Sequence, residues 1–261
     1  MSFVAPQSPP LLRVEKISHA YTDRPEVIPA LAPITFHVNE GEFVCIVGTS
    51  GSGKSTLLRI IGGLLQPTTG EVWLDGENLS RLSAPLRTRK GLGRAFQLTQ
   101  LFPMLTVLEN VRLAVQARAG VGLRMLSVWR SHRELIDEAM ALLERVRLQV
   151  RAEEPAASLP HGDQRKLEVA VLMALKPKVY LFDEPTAGMS VDEVPVVLDL
   201  IRELKREGAS TLLLVEHKMD VVRELADRIV VLHQGALVAD GVPSEVMASD
   251  VVQQAYLGVA A

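Results

Sequence analysis

The stretch GTSGSGKST, residues 48–56, decides the fold of this chain. It matches the pattern G-x-x-x-x-G-K-[ST], with Gly48, Gly53, Lys54 and Ser55 at the fixed positions. Glycines let the backbone curl so that successive N–H groups face phosphate oxygens, and a following helix adds the positive end of its dipole. In this pattern the lysine reaches the β- and γ-phosphates and the hydroxyl residue ligates Mg²⁺. The motif predicts a phosphate-binding loop, and it leaves an ATPase, a GTPase and a small-molecule kinase all open.

The segments around this loop follow the order of a nucleotide-binding α/β domain. An apolar strand precedes the loop and an amphipathic helix follows it, and strands with an intervening helix return near the C-terminal end. Upstream, LLRVEKISHAY and ITFHVNEGEFVCIVG indicate a β-rich entry. From about 105 to 149 the pattern is helical without a strand. We therefore expect a helical lobe inserted into a mostly parallel sheet.

Bulk properties restrict the class of protein. The chain has 261 residues, long enough for a substantial core, and a formal charge of -3, which argues against a general nucleic-acid binder. Its single cysteine, Cys45, lies in an apolar run, so no internal disulfide forms and a reducing, cytosolic setting is expected. No apolar run reaches the length of a membrane span.

Acidic residues end the strand in KVYLFDEPTAG. Because the carboxyl ends of parallel strands meet at one edge of a sheet, Asp183 and Glu184 are expected beside the phosphate loop. Asp183 would hold Mg²⁺ and Glu184 would polarise the water that attacks the γ-phosphate. His217 follows another apolar strand and could contact the γ-phosphate, orient that water, or simply cap the strand. The Asn-Lys-x-Asp motif of guanine readers is incomplete there, since His217 stands in place of the asparagine.

Taken in order, the phosphate loop, AFQLTQLFPMLTVLENV, LPHGDQRKLEVA, VYLFDEPTAG and VEH resemble the ATP-binding cassette (ABC) ATPases over nearly the whole chain. The resemblance implies a P-loop NTPase (RecA-like) α/β core with an N-terminal antiparallel β subdomain and an inserted α-helical subdomain. It implies ATP and Mg²⁺ as cofactors. It also makes Gln97 the glutamine that joins the Mg²⁺ and water site to the helical part, His217 the switch histidine, and Tyr21 the aromatic ring stacked on adenine.

By the same resemblance, the site residues divide into three groups. The catalytic group is Lys54, Gln97, Glu184 and His217, and the metal group is Ser55, Gln97 and Asp183. The nucleotide-binding group is Tyr21, Gly48, Thr49, Ser50, Gly51, Ser52, Gly53, Lys54, Ser55, Thr56, Leu159, Gly162, Asp163 and Gln164.

The resemblance also predicts the domain organisation. A leader covers 1–10, one ABC ATPase domain covers 11–240, and a C-terminal helical tail covers 241–261. Within the domain, we expect the β-rich entry and nucleotide-binding core at about 11–95 and 166–240, and the helical subdomain at about 96–165.

More narrowly, VLENVRLAVQAR with its following insertion, DEPTAGMS and the ending VVQQAYLG look like the ATPase subunits of branched-chain amino acid importers. This resemblance implies two transmembrane permeases, a second ATPase subunit, an external solute-binding protein, no nucleic acid, and a peripheral place on the cytoplasmic face of the inner membrane. Urea and short-amide importers have similar subunits. A soluble ABC-type ATPase acting on a ribosome, DNA or an iron–sulfur assembly is the alternative of another class.

One segment departs from the family pattern. LPHGDQ, residues 159–164, stands where the family has Leu-Ser-Gly-Gly-Gln-Gln, so Pro160 replaces the serine and Asp163 the first glutamine. Gly162 is retained, and a helix is expected to begin near Asp163, which is a good N-cap residue. The altered segment predicts a weakened contact with the ATP of a partner cassette and favours a heterodimer over a homodimer.

Overall fold

The structure, a computed structural model, describes residues 9–21, 28–95, 101–120, 133–189, 192, 194–206 and 210–257. Within these residues the strands are β1 (Leu12–Tyr21), β2 (Ile28–Val38), β3 (Phe43–Gly48), β4 (Thr69–Leu74), β5 (Glu77–Asn78), β6 (Leu92–Ala95), β7 (Val179–Asp183), β8 (Thr211–Val215), β9 (Arg228–His233) and β10 (Ala236–Gly241). The α-helices are α1 (Lys54–Ile61), α2 (Ala84–Arg89), α3 (Val107–Arg118), α4 (Arg133–Arg145), α5 (His161–Leu175), α6 (Val194–Arg206), α7 (Met219–Leu225), α8 (Pro243–Ala248) and α9 (Asp250–Leu257).

The N-terminal strands form an antiparallel sheet whose order, among the described residues, is β2-β1-β4-β5. The register sets Leu12 opposite Leu74 and Val14 opposite Val72. Buried and part-exposed residues alternate along most of β1, the period expected when one face of a strand meets a core. The register shifts after Val14, and Lys16 there has a φ of 49°, so the alternation is interrupted by a bulge.

A second sheet has the strand order β10-β9-β3-β8-β7-β6 within the described part of the chain. Strands β9, β3, β8 and β7 pair in parallel, and β10 runs antiparallel to β9. Every residue of β3, β7 and β8 is buried, which is why these strands read as unbroken apolar runs in the sequence. Parallel pairing brings the carboxyl ends of β3, β7 and β8 to one edge of the sheet.

Helix α1 starts at that edge and packs its apolar face into the core. Leu57, Leu58, Ile60 and Ile61 are all fully buried. They belong to one cluster with residues from both sheets, so the core fixes the position of the helix relative to β3.

The described residues group into two compact units, with boundaries at 1–92, 178–184 and 207–261 for the first and at 93–177 and 185–206 for the second. The first unit holds the antiparallel sheet, the parallel strands β3, β7, β8 and β9, and α1. The second unit is mainly helical and is larger than the subdomain expected at about 96–165, because it also includes α5 and α6.

Helix α5 organises the second unit by packing against α3, α4 and α6. Helix α3 begins with a capping box, in which the Thr106 hydroxyl accepts from the Glu109 amide and the Glu109 carboxylate accepts from the Thr106 amide. Arg118 on α3 donates to Glu138 on α4, with 2.5 Å between Nη2 and Oε2. These contacts tie the helices to one another inside the unit.

Candidate functional site

The predicted phosphate loop connects the carboxyl end of β3 to the first residue of α1. A Cβ on Gly48 would lie 2.3 Å from the Leu232 carbonyl oxygen, so only glycine fits where the loop leaves the strand. Gly53 has a φ of 98°, and a Cβ there would lie 2.5 Å from the Leu31 side chain. Two of the motif's fixed glycines are therefore required by close packing as well as by backbone conformation.

Lys54 lies folded across this loop. Its Nζ donates to the carbonyl oxygens of Gly48 at 2.7 Å and Thr49 at 2.8 Å, and to Ser52 Oγ at 3.4 Å. The side chain is only 7 % exposed, and this burial lowers the pKa of Lys54, while the nearby charges of Glu184 and Asp183 act in the opposite direction. The ammonium group is thus held at the mouth of the loop by weak, neutral acceptors that an anion can replace.

The loop borders an open cavity of about 880 Å³. Its lining comes from six separate stretches of the first unit: Tyr21; Pro29 and Ala30; residues 48–56; Glu184; His217; and Gln234 and Gly235. The volume matches the range of small-molecule and cofactor sites. Four lining residues were not among those expected from the sequence, since nothing in their local pattern marks them: Pro29, Ala30, Gln234 and Gly235.

The two acids at the end of the KVYLFDEPTAG strand, Asp183 and Glu184, occupy different environments. Asp183 is the last residue of β7 and is buried, beside Val215 of β8. Glu184 leaves the strand with a φ of 47°, and its amide donates to the Val215 carbonyl at 3.0 Å. A positive φ is unusual for a residue with a side chain. The turn directs the chain away from the strand immediately after Asp183, and the Glu184 side chain, 28 % exposed, lines the cavity.

His217 lies close to that glutamate. Its Nδ1 is 3.8 Å from Glu184 Oε1 and 3.4 Å from Glu216 Oε2, and the imidazole is 55 % exposed. Glu216 is fully buried, and its carboxylate also accepts from the His217 amide at 2.9 Å. Glu216 was missed from the sequence, although an acid directly after the apolar run STLLLV is a signal that could have identified it.

Tyr21 ends β1 and lines the same cavity. Its hydroxyl lies 3.3 Å from Thr56 Oγ1, and its ring meets the His19 ring edge-on with centroids 4.7 Å apart. The structure therefore brings together Tyr21, the phosphate loop, Glu184 and His217. Gln97 lies outside the described residues.

Residues 159–164, the segment that departs from the family pattern and is called the signature segment below, contain the start of helix α5 in the second unit. The helix starts at His161, two residues before Asp163, and its N-cap is Pro160, so the expectation that Asp163 caps the helix was wrong. The Pro160 carbonyl accepts from the Gln164 amide at 3.0 Å and opens the helix two residues earlier. Leu159 and Gly162 are buried, and Gln164 Nε2 donates to the Leu159 carbonyl at 3.0 Å.

Asp163 is held by two cations instead of capping the helix. Its carboxylate lies 2.7 Å from Lys166 Nζ and 3.6 Å from Arg151 Nε. A carboxylate in the first turn also suits the positive end of the helix dipole. The negative charge of Asp163 is therefore largely neutralised within its own unit.

Comparison with known proteins decides the family. The sequence model of the ABC transporter family matches residues 31–187, more than half of the chain. The chain belongs to the ABC transporter family. The resemblance drawn from the motifs is thereby confirmed.

Characterised ABC transporter proteins align with most of this chain. It is 35% identical over 236 residues to the high-affinity branched-chain amino acid transport ATP-binding protein LivG of Salmonella typhimurium, covering 88% of this chain and 92% of LivG. BraF of Pseudomonas aeruginosa, described in the same words, is 36% identical with the same coverage. The lipoprotein-releasing system ATP-binding protein LolD of Pseudomonas fluorescens is 36% identical over 232 residues, covering 88% of this chain and 97% of LolD. Identity alone therefore places the chain among ABC transporter ATP-binding subunits.

Solved ABC cassettes share the fold. The dimeric, post-hydrolysis cassette MJ0796 with ADP and Pi has a TM-score of 0.76 and 30% identity, covering 89% of this chain and 98% of its own. The ADP form of cassette MJ1267 has a TM-score of 0.78 and 25% identity, covering 97% and 100%. The expected P-loop α/β fold is confirmed, and the chain is an ATPase. Within the residues that the structure describes, no helix has the length and apolar character to cross a membrane.

Proposed function

We propose that this chain is the ATP-hydrolysing subunit of a membrane importer for branched-chain or related amino acids. The observation that carries the proposal is the alignment of LivG and BraF, two proteins named for branched-chain amino acid transport, along 88% of this chain. LolD reaches similar identity, so the importer assignment also depends on the insertion after α3, the DEPTAGMS segment and the VVQQAYLG ending.

Residues 48–56 bind the phosphates of ATP in this proposal. When the nucleotide enters, its phosphate oxygens replace the carbonyl oxygens of Gly48 and Thr49 as acceptors for Lys54 Nζ. A charged acceptor forms a stronger hydrogen bond than a carbonyl, so the exchange favours binding. Tyr21, which lines the same cavity with its hydroxyl 3.3 Å from Thr56 Oγ1, stacks on the adenine ring in this proposal.

Oxygen donors near the loop suit Mg²⁺. Ser55 supplies a hydroxyl and Asp183 a carboxylate, and Gln97 is assigned to the same ion by the family resemblance. No cluster of three or more metal-binding side chains occurs among the described residues, and Mg²⁺ usually takes only one or two protein carboxylates and completes its shell with phosphates and water. The bound ion would neutralise charge that develops on the phosphate oxygens.

Glu184 and His217 act on the attacking water. Glu184 lines the phosphate cavity and is positioned by its turn to accept a proton from water near the γ-phosphate. The carboxylates of Glu184 and Glu216 both lie near Nδ1 of His217 and so orient its ring beside the proposed base. We assign Glu184 as the general base and His217 as the residue that orients water and γ-phosphate.

The proposed assembly contains two transmembrane permeases and a second ATPase subunit, with an external solute-binding protein that delivers the amino acid. Closure of two cassettes would place each ATP between one phosphate loop and the partner's signature segment, and the motion would reach the permeases at the cytoplasmic face of the inner membrane. Pro160 lacks a hydroxyl and an N–H to offer that ATP, which supports an unequal heterodimer.

Two alternatives remain distinct from this proposal. A urea or short-amide importer would use the same ATPase chemistry, because the solute meets the permease and not this chain. A soluble ABC-type ATPase would have a nucleic-acid or ribosomal partner, and the net charge of -3 does not favour a nucleic-acid partner.

One experiment tests the proposal. The native complex is purified from membranes, its subunits are identified, and its ATPase activity is measured with amino acids and the matching binding protein. Stimulation by branched-chain amino acids supports the proposal. Stimulation by urea or short amides selects the first alternative, and a partner set of ribosomal proteins without a permease refutes the importer assignment.

A further inference from the structure

A buried arginine lies at the far end of the phosphate-loop helix. Arg87, on α2, has no solvent exposure at all, although arginine is rarely buried fully without a partner. Among the described residues no carboxylate pairs with it. Its charge is instead surrounded by main-chain oxygens.

The guanidinium group joins two segments of backbone. Arg87 Nη1 donates to the carbonyl oxygens of Ile60 and Ile61, both at 2.7 Å. On its other side, Nε donates to Leu82 O at 3.0 Å and Nη2 to Ser80 O at 3.1 Å. The fork of Arg87 therefore attaches the last turn of α1 to the turn that precedes α2.

This contact places a cation on the negative end of the helix dipole. The last carbonyls of a helix lack the usual i+4 amide partner and carry partial negative charge, so they stabilise a buried guanidinium and are stabilised by it. The Ile60 carbonyl also accepts from the Gly63 amide at 3.1 Å. Burial lowers the pKa of Arg87 to about 10, which still leaves it protonated at neutral pH. The backbone also makes room for it, because a Cβ on Gly63 would lie 2.8 Å from Arg87 Nε.

Helix α1 is short, so a displacement of one end is expected to move the other end as well. Its eight residues span about 12 Å. The opposite end carries Lys54 and Ser55, and the Leu57 amide bonds back to the Gly53 carbonyl at 2.9 Å. A shift at the Ile60 end is therefore transmitted to the amides that face the phosphate cavity.

We propose that Arg87 is a positioning residue for nucleotide binding, which holds the C-terminal end of α1 so that its N-terminal end keeps the geometry required by phosphate. This inference rests on the proposed role of residues 48–56 as the phosphate loop. Arg87 does not touch the nucleotide. It acts through α1.

The test measures MgADP affinity and steady-state ATPase kinetics of the full chain. Arg87→Met keeps side-chain length and removes every donor, and we expect the Kd of MgADP and the KM for ATP to rise about tenfold with little change in kcat. Arg87→Lys keeps the charge and should recover about half of that loss on a logarithmic scale. Gly63→Ala, whose Cβ would press on the guanidinium without removing it and would also strain a backbone with a φ of 78°, should also weaken binding.

Matched controls separate positioning from general stability. Arg59→Met removes an exposed charge from the same last turn and should leave the Kd within about twofold. Val246→Ala removes buried apolar volume on α8, far along the chain from α1, and should lower the melting temperature without changing the Kd of the folded protein. Should Arg87→Met fail to fold, Arg87→Lys and Gly63→Ala decide the question.

The inference is overturned if the Arg87 variants lose thermal stability but bind MgADP as the unaltered chain does. Lys54→Ala, measured in parallel, identifies which proposal has failed. Loss of binding in Lys54→Ala with normal binding in the Arg87 variants refutes only the positioning role. Normal binding in both refutes the phosphate-loop assignment itself.

Discussion

Glu184→Gln is expected to preserve ATP binding and nearly abolish hydrolysis. The substitution keeps the shape of the side chain and the backbone bond from the Glu184 amide to the Val215 carbonyl, so the turn after β7 remains in place. It removes the carboxylate that accepts the proton from water. General base catalysis contributes about 10²–10⁴-fold, which corresponds to an increase of about 2.7–5.4 kcal/mol in the activation free energy.

Glu216→Gln provides the matched comparison. Glu216 is near the same imidazole nitrogen as Glu184, with 3.4 Å between Oε2 and His217 Nδ1, but it is fully buried and does not line the cavity. Its loss should disturb the orientation of the imidazole, and we expect a decrease in kcat of about tenfold, equal to about 1.4 kcal/mol. The assay is single-turnover hydrolysis of ATP with Mg²⁺, together with equilibrium binding of ATP and size-exclusion detection of a closed, nucleotide-trapped dimer.

The test compares the decrease in hydrolysis of Glu184→Gln with that of Glu216→Gln. A Glu184→Gln variant that turns over within threefold of the unaltered chain, while Glu216→Gln falls a hundredfold, would show that the base is Glu216. Weakened ATP binding in Glu184→Gln would contradict the view that Glu184 acts on water alone.

Three further predictions follow from the site and from the helical unit. Lys54→Ala should weaken ATP binding about a hundredfold or more, as measured by titration, because it removes the cation that faces the phosphates. Hydrogen bonding from Arg118 lowers the pKa of Glu138 to about 2, so the contribution of Glu138 to the free energy of unfolding is complete above about pH 4.5 and is lost as the pH falls towards 2. Glu138→Gln should lower the free energy of unfolding at pH 7 by about 1 kcal/mol, a value discounted for partial exposure, and should remove that pH dependence. Urea unfolding at several pH values measures both effects. The double change Pro160→Ser and Asp163→Gln should raise ATPase activity at the site that this segment completes, and unchanged turnover of the purified complex would count against a weakened signature.

Local patterns predicted the chemistry at the strand ends. The phosphate loop, Asp183, Glu184 and His217 were all identified from short motifs, because each follows an unbroken apolar strand and parallel strands end at one edge. Tyr21 was predicted from the family resemblance alone, and its place in the cavity depends on the end of β1 lying beside the loop, with its hydroxyl 3.3 Å from Thr56 Oγ1.

The sheet to which each strand belongs and the capping of α5 could not be predicted from the adjacent residues in the sequence. β2 and β3 are separated by only four residues, yet they belong to different sheets. Asp163 is a good cap by residue type, but it does not cap α5, and its carboxylate pairs instead with Lys166 and with Arg151, a residue twelve positions upstream.

The sequence by itself predicted phosphate binding and proton transfer, since these need particular residue types at fixed spacing, and its resemblance to the ABC ATPases implied ATP hydrolysis. Only the tertiary structure decided how those residues are supported. Glu216 beside His217 and Arg87 at the C-terminal end of α1 are ordinary charged residues in the sequence, and the roles proposed for them depend on folding, which buries them against particular oxygens and rings. Burial in a medium of low polarity makes each such contact strong and its absence costly, and which atoms are buried together is a property of the packed chain.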